Sequence, residues 1–112
     1  KIIYTNGEKK YAKKVLYALG INDLFKDIWD IKSSKFVPKP QIDPLKNYLF
    51  ENTFKAENCV YFEDLKKNLL PGHQLGLTTV HISNEASNES DFYIDFRFKT
   101  IISALDMINK NI

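Results

Sequence analysis

The stretch YFEDLKKNLLPGHQLGLTTVHI, residues 61–82, decides the fold of this chain. It begins inside the apolar run CVYF, continues through the acids Glu63 and Asp64 and the helix-like PGHQLG, and ends in the strand-like LTTVHI. Short, continuous apolar runs are typical of parallel strands that are buried on both faces. A strand, a helix and a second strand in this order predict a parallel pair joined by a helical crossover.

The residues before this stretch repeat the alternation. KIIYT predicts a strand, and GEKKYAKKVLYALG predicts a helix that ends at Gly20. DIWDI predicts a second strand, and KSSKFVPKP is typical of a loop. In QIDPLKNYLFENTF, Asp43 is predicted as an N-cap and Pro44 as the first helical residue. The predicted inner faces of the two helices are Ala12, Val15, Leu16 and Leu19 in the first, and Leu45, Tyr48 and Leu49 in the second.

After residue 82 the pattern is weaker. SNEASNESD predicts a polar loop, and the remainder predicts an extended segment followed by a helix built on Ile101, Leu105 and Ile108. Gly72 stands where a better helix former is expected, at a cost of about 1 kcal/mol. We therefore predict an α/β fold with a mostly parallel sheet flanked by helices. It forms one domain over 1–112, with the motifs in 1–82 and a polar loop and C-terminal helix in 83–112.

Composition excludes several classes of protein. The 112 residues are 44% hydrophobic with a formal net charge of +2, which favours a small globular domain over a disordered chain. Lysines are scattered among acids and form no basic stripe, so no nucleic-acid partner is expected. No apolar run approaches the length of a membrane span, so no membrane partner is expected. Cys59, the single cysteine, is interpreted as a buried, reduced thiol of a cytoplasmic protein.

Polar residues follow three of the predicted strands. Ligands of parallel sheets gather at the carboxyl ends of the strands, which selects these residues as candidates for a site. A hydroxyl, loop N–H groups, one ammonium and two carboxylates suit a phosphate together with Mg²⁺, which prefers a few hard oxygen ligands. The candidates are Thr5, Asn6 and Gly7 after the first strand, Lys39 after the second, and Glu63 and Asp64 after the third.

Each candidate has a simpler interpretation. TNG is a common turn, a lysine between two prolines is usually solvated, and acids after a strand often begin a helix. The order along the chain favours function, because hydroxyl, lysine and paired acids each follow a strand of their own.

That order resembles the haloacid dehalogenase (HAD) superfamily of Mg²⁺-dependent hydrolases. YTNG, LGINDLFKDIWDI, FVPKP and YFEDLKKNL look like its pyrimidine 5′-nucleotidase branch in particular. The resemblance implies that Thr5 and Lys39 are catalytic and bind phosphate with the loop of Asn6 and Gly7, Asn6 contributing a backbone N–H. It further implies that Asp64 binds Mg²⁺ with Glu63 beside it directly or through water, and that Asn68 braces the acidic loop. The substrate implied is a small phosphorylated molecule such as a nucleoside monophosphate.

The sequence departs from this family in one respect. The family's Asp-x-Asp motif supplies a nucleophile that forms an aspartyl-phosphate and a general acid, and no two aspartates here are separated by one residue. The strand that carries the motif and the substrate-selecting cap are likewise absent from these 112 residues. We therefore expect an incomplete HAD-like sheet without its central strand. The chain would be the C-terminal portion of an enzyme and inactive alone.

Two other functions remain open. A non-catalytic remnant could assemble through exposed sheet edges, as a dimer or with a missing N-terminal segment. A receiver-like binding module would instead carry phosphate on Asp64.

Overall fold

The computed structural model describes residues 1–85 and 91–110. The strands are β1 (Ile2–Tyr4), β2 (Asp27–Trp29), β3 (Val60–Glu63), β4 (Thr78–Ile82) and β5 (Phe96–Phe98). The α-helices are α1 (Lys9–Ala18), α2 (Asp43–Glu51), α3 (Leu69–Leu75) and α4 (Ile101–Lys110), with short 3-10 turns at Asn22–Leu24, Ala56–Asn58 and Lys66–Asn68. None of the helices in this part of the chain is long and apolar enough to cross a bilayer.

Both sheets of the structure are parallel. β1 pairs with β2, with Ile3 opposite Ile28. In the second sheet β4 lies between β3 and β5, with Phe62 opposite Val80 and Val80 opposite Phe96. The predicted α/β fold of parallel strands flanked by helices is therefore confirmed.

The chain divides into two compact units, Lys1–Tyr48 and Leu49–Ile112. In the first unit, Leu16 of α1 and Ile28 of β2 are buried. α1 ends as the sequence predicts, with Gly20 at φ +70, where a residue without Cβ avoids strain. α2 begins at Asp43 itself, one residue earlier than predicted.

In the second unit, α3 covers the centre of the three-stranded sheet. Leu69 of α3 and Val80 of β4 are almost fully buried. A Cβ added to Gly72 would lie 2.7 Å from Cδ1 of Tyr61, closer than two carbon atoms pack. Gly72 is therefore a packing requirement of α3 and β3, which the sequence interpretation as a poor helix former missed.

Several predicted core positions are wrong. Val15 and Leu19 of α1 are 58% and 65% exposed, and Ile101 and Leu105 of α4 are 43% and 42% exposed. Helical periodicity shows that a helix has an apolar face, but it does not show which part of that face another element covers. In α4 the buried residue is the small Ala104.

Two further predictions have different outcomes. Cys59 is half-buried, not part of the core, and its thiol donates to the carbonyl of Lys55 at 3.4 Å. The predicted polar loop SNEASNESD falls largely on residues 86–90, which lie outside the described residues.

Candidate active site

The loop after β1 folds around the hydroxyl of Thr5. The N–H of Thr5 donates to the carbonyl of Trp29 at 3.0 Å, which extends the β1–β2 ladder by one residue. Thr5 Oγ1 then accepts the N–H of Gly7 at 3.0 Å. Since that bond uses only a lone pair of the oxygen, the hydroxyl keeps its own proton to donate to an anion.

Asn6 connects this loop to Lys39. Its side-chain oxygen accepts the N–H of Lys39 at 2.7 Å, and its amide nitrogen lies 3.4 Å from the carbonyl oxygen of Lys39. No described residue accepts a hydrogen bond from the backbone N–H of Asn6. Three of the predicted phosphate-binding residues, Thr5, Asn6 and Lys39, therefore lie in loops that are connected by hydrogen bonds. The backbone N–H of Asn6 is available beside them.

The Lys39 ammonium is held at the end of β1. Its Nζ donates to the carbonyl of Tyr4 at 3.2 Å and lies 5.1 Å from the centre of the Tyr4 ring. An ammonium has three donors, and the bond to Tyr4 uses one of them and orients the group. A half-buried lysine fixed in this way is a suitable point charge for phosphate.

Asp30, which no sequence pattern marked as a site residue, organises the same unit. The carboxylate, only 4% exposed, accepts the N–H of Lys9 at 2.8 Å, and both the N–H and the hydroxyl of Ser33 at 2.8 Å. The bond from the Ser33 N–H is the main cause that lowers the pKa of Asp30 to about 2, against the opposing effect of burial. Asp30 thus joins the start of α1 to the segment that leads to Lys39.

The acidic loop, Glu63 and Asp64 after β3, lies in the second unit, and its two carboxylates differ in burial and in hydrogen bonding. Glu63 is 8% exposed, and its carboxylate accepts the N–H of Leu65 at 3.0 Å and the side-chain amide of Asn68 at 3.2 Å. Asp64 is exposed, and no described residue donates to its carboxylate. Glu63 therefore braces the loop, while Asp64 presents a carboxylate to solvent.

His81 of β4 also contacts this loop. It lies opposite Glu63 in the β3–β4 ladder, and its Nε2 is 3.0 Å from the carbonyl oxygen of Asp64. A carbonyl only accepts, so this hydrogen-bond network assigns the proton to Nε2. The bond fixes the backbone that carries the Asp64 carboxylate. The register of the two strands, readable only from the structure, identifies this contact.

The residues present fit part of a Mg²⁺ site. Asp64 supplies a hard, accessible oxygen, and the buried Oδ1 of Asn68 has no hydrogen-bond donor in the structure. A water bound to a cation is a suitable donor for such an acceptor. Within 1–85 and 91–110, no group of three or more His, Cys, Asp or Glu side chains could hold a metal ion. The described chain therefore offers a partial ligand set only.

Comparison with known proteins identifies the family. The model of the haloacid dehalogenase-like hydrolases matches residues 2–82. A search of curated proteins found no match.

Solved structures agree with this fold. YfnB from Bacillus subtilis, solved bound to magnesium, is 24% identical with a TM-score of 0.81, over 96% of this chain and 48% of that protein. A HAD phosphatase from Thermococcus onnurineus is 18% identical with a TM-score of 0.79, over 96% and 49%. A dehalogenase in an intermediate complex is 13% identical with a TM-score of 0.83, over 95% and 47%. This chain thus spans about half the length of these proteins, and it belongs to the haloacid dehalogenase-like hydrolase family.

Proposed function

We propose that this chain is the C-terminal portion of a Mg²⁺-dependent phosphoester hydrolase, similar to the pyrimidine 5′-nucleotidases and acting in the cytoplasm on nucleoside monophosphates. Both compact units would belong to one partial core domain. The observation that carries the proposal is the pair of contacts between Asn6 and Lys39, at 2.7 and 3.4 Å. They connect a hydroxyl loop and a lysine that lie 33 residues apart in the sequence.

The chemistry assigned to these residues is the binding and neutralisation of phosphate. Thr5 donates its hydroxyl proton, the loop of Asn6 and Gly7 offers a backbone N–H, and the Lys39 ammonium offsets charge that develops on the phosphoryl oxygens. A bound Mg²⁺ would supply Lewis-acid stabilisation of the phosphoryl group. Asp64 would be its ligand in this chain, with Glu63 and Asn68 holding the loop in place.

These residues include no group suited to the nucleophilic step. The sequence contains no Asp-x-Asp pair, and Lys39 and Asp64 can assist a nucleophile without replacing it. We therefore propose that the chain alone has negligible turnover and that an Asp-x-Asp segment outside these residues completes the enzyme. Its solved relatives, about twice as long, support this proposal.

The test begins with the intact mass of the protein purified from its native cell, compared with the 13.0 kDa of this chain. Phosphate release by that protein is then measured with UMP, CMP and phosphoglycolate, with Mg²⁺ and with EDTA. We expect a larger mass, Mg²⁺-dependent release that is fastest with UMP or CMP, and a loss of about 100-fold on Lys39→Met. Lys46→Met, an exposed lysine of α2, is the matched control. Mg²⁺-dependent release by the 13.0 kDa chain alone would contradict the proposal.

One observation favours a second function, assembly through sheet edges. Among the described residues, β1 pairs on one side only, with β2, and β3 pairs on one side only, with β4. An edge strand with unpaired N–H and C=O groups is a template for another strand. A stable dimer of the chain whose contact maps to Ile2–Tyr4 or Val60–Glu63 by hydrogen exchange would support this function.

A further inference from the structure

A groove lined by four lysines lies in the first unit, away from the candidate phosphate loop. It encloses about 700 Å³ between α1 and the segment that leads into β2. Lys9, Lys13 and Lys14 come from α1, and Lys26 precedes β2. We call this feature the lysine groove; none of Thr5, Asn6, Gly7 and Lys39 lines it.

Basic side chains outnumber acidic ones in the lining of the lysine groove. The lining contains four lysines and one aspartate, Asp27, whereas the whole chain has a formal net charge of only +2. The oxygens of Asp27 are engaged by protein donors, Oδ1 by the N–H of Ile28 at 2.8 Å and Oδ2 by the hydroxyl of Tyr48 at 3.2 Å. Neither Lys9 nor Lys13 makes an ion pair with a described residue within 4 Å, although Lys9 is near enough to Asp30 to help lower the pKa of that carboxyl. A concave surface of one charge sign concentrates ions of the opposite sign.

The spacing of the lysines suits more than one anionic group. Lys9 and Lys13 are four residues apart on α1, so their side chains leave the same face of the helix one turn apart. Like charges at this spacing repel each other, and a bound anion relieves that repulsion. Lys14 and Lys26 extend the positive lining, which a chain of linked phosphates would match better than a single anion.

The rest of the lining is apolar and aromatic. Leu16 and Ile28 line the groove from buried positions, and Phe25 is half-buried there. Tyr17 also lines it and is 77% exposed, so its ring is accessible to a ligand. Stacking of a planar ligand ring on an accessible aromatic side chain depends little on which ring the ligand carries.

We propose that the lysine groove binds an organic polyphosphate, with the phosphate chain on the lysines and a planar ring against Tyr17. A volume of about 700 Å³ falls within the range of small-molecule sites. The groove shares no lining residue with the phosphate loop. The ligand of the groove is therefore a regulatory or stored ligand of the protein and not the substrate of the proposed hydrolysis. The inference does not depend on the proposed function.

The experiment is calorimetric titration of the chain with ATP in EDTA, which prevents Mg²⁺-dependent turnover. We expect Lys13→Gln/Lys14→Gln to weaken ATP binding at least tenfold. Both lysines are exposed, so the variant should fold as the wild type does, which circular dichroism checks. Lys46→Gln/Lys55→Gln removes the same charge from exposed positions outside the groove and should leave the affinity within twofold.

Two further measurements locate the ligand within the groove. Tyr17→Ala should weaken ATP at least threefold and leave the binding of inorganic tripolyphosphate unchanged. Thr5→Val, in the phosphate loop, should leave ATP binding unchanged. The proposal is overturned if ATP does not bind, if both lysine pairs weaken it equally, if tripolyphosphate binds as tightly as ATP, or if Thr5→Val abolishes binding.

Discussion

Asn6 and Lys39, 33 residues apart, meet through a bond of 2.7 Å from the Lys39 N–H to the Asn6 side-chain oxygen and a longer contact of 3.4 Å in the opposite direction. The Asn6 side chain therefore bonds the backbone N–H and C=O of Lys39, as a neighbouring strand would, and so connects two loops that do not pair as strands. Because the contact holds the backbone of Lys39, it also sets where the ammonium can reach.

Asn6→Ala should loosen this connection. We expect the free energy of unfolding, measured in urea, to fall by about 1 kcal/mol. The loss is small because these hydrogen bonds are exposed, and the net contribution of a hydrogen bond to stability is of that size. Asn6→Asp keeps the acceptor of the shorter bond and loses only the donor of the longer one. It should cost less than half as much. Equal losses in the two variants would show that the 2.7 Å bond contributes nothing.

Asp30→Asn tests the carboxylate that joins α1 to the Ser33 turn. At pH 7 we expect a loss of about 1–2 kcal/mol in unfolding free energy, because a charged acceptor of three hydrogen bonds becomes a neutral amide. Among the described residues, the exposed Asp23 is bonded only to its neighbour Asn22, so Asp23→Asn should change stability by less than about 0.5 kcal/mol.

The pH dependence of stability follows from the same carboxylate. The pKa of Asp30 is lowered from 3.8 to about 2 in the folded state, chiefly by the Ser33 N–H. The folded state therefore binds a proton less readily than the unfolded state. The stabilisation is present above about pH 4 and is lost as the pH falls through about 2. The difference between wild type and Asp30→Asn should shrink over that window in urea titrations; a difference that stays constant would contradict the assignment.

The two neighbouring acids should respond differently to amide substitution. Asp64→Asn should lower affinity for Mn²⁺, used as a paramagnetic probe of the Mg²⁺ site, at least tenfold and leave stability unchanged within about 0.5 kcal/mol. Glu63→Gln should cost about 1–3 kcal/mol of stability, because one buried donor loses its acceptor. The division of roles is wrong if Glu63→Gln abolishes Mn²⁺ binding in a folded protein while Asp64→Asn preserves it.

The sequence predicted the strands and helices well because their patterns are local. The apolar run CVYF and the glycine after α1 each decide their own segment. The wrong core positions in α1 and α4 depend on which elements cover each helix, and that information is not local. The phosphate site that the order of Thr5, Lys39 and Asp64 indicates stays a prediction. The contacts of Asp30 and His81 join segments 17 or more residues apart, so no local pattern could identify them.

Gly72→Ala changes stability through two opposing effects, a gain in helix propensity and a loss in packing. Alanine should favour α3 by about 1 kcal/mol, but its Cβ would lie 2.7 Å from the Tyr61 ring and 3.6 Å from Cγ2 of Thr79. Overpacking in a dense interior costs about 1–3 kcal/mol, so we expect net destabilisation of about 1 kcal/mol in urea unfolding. A stabilised variant would show that the ring moves aside freely.

The clash can be assigned to the Tyr61 ring by a double-mutant cycle. Tyr61→Ala removes Cδ1 and Cε1 of the ring, the two atoms closest to the added Cβ at 2.7 and 3.4 Å. Alone it should cost about 3–5 kcal/mol through lost burial. Combined with Gly72→Ala, the total loss should be smaller than the sum of the single losses by about 1 kcal/mol, because the added methyl then occupies vacated space. Tyr61→Phe, which keeps the ring, should give no such recovery; additive losses in both cycles would place the conflict elsewhere.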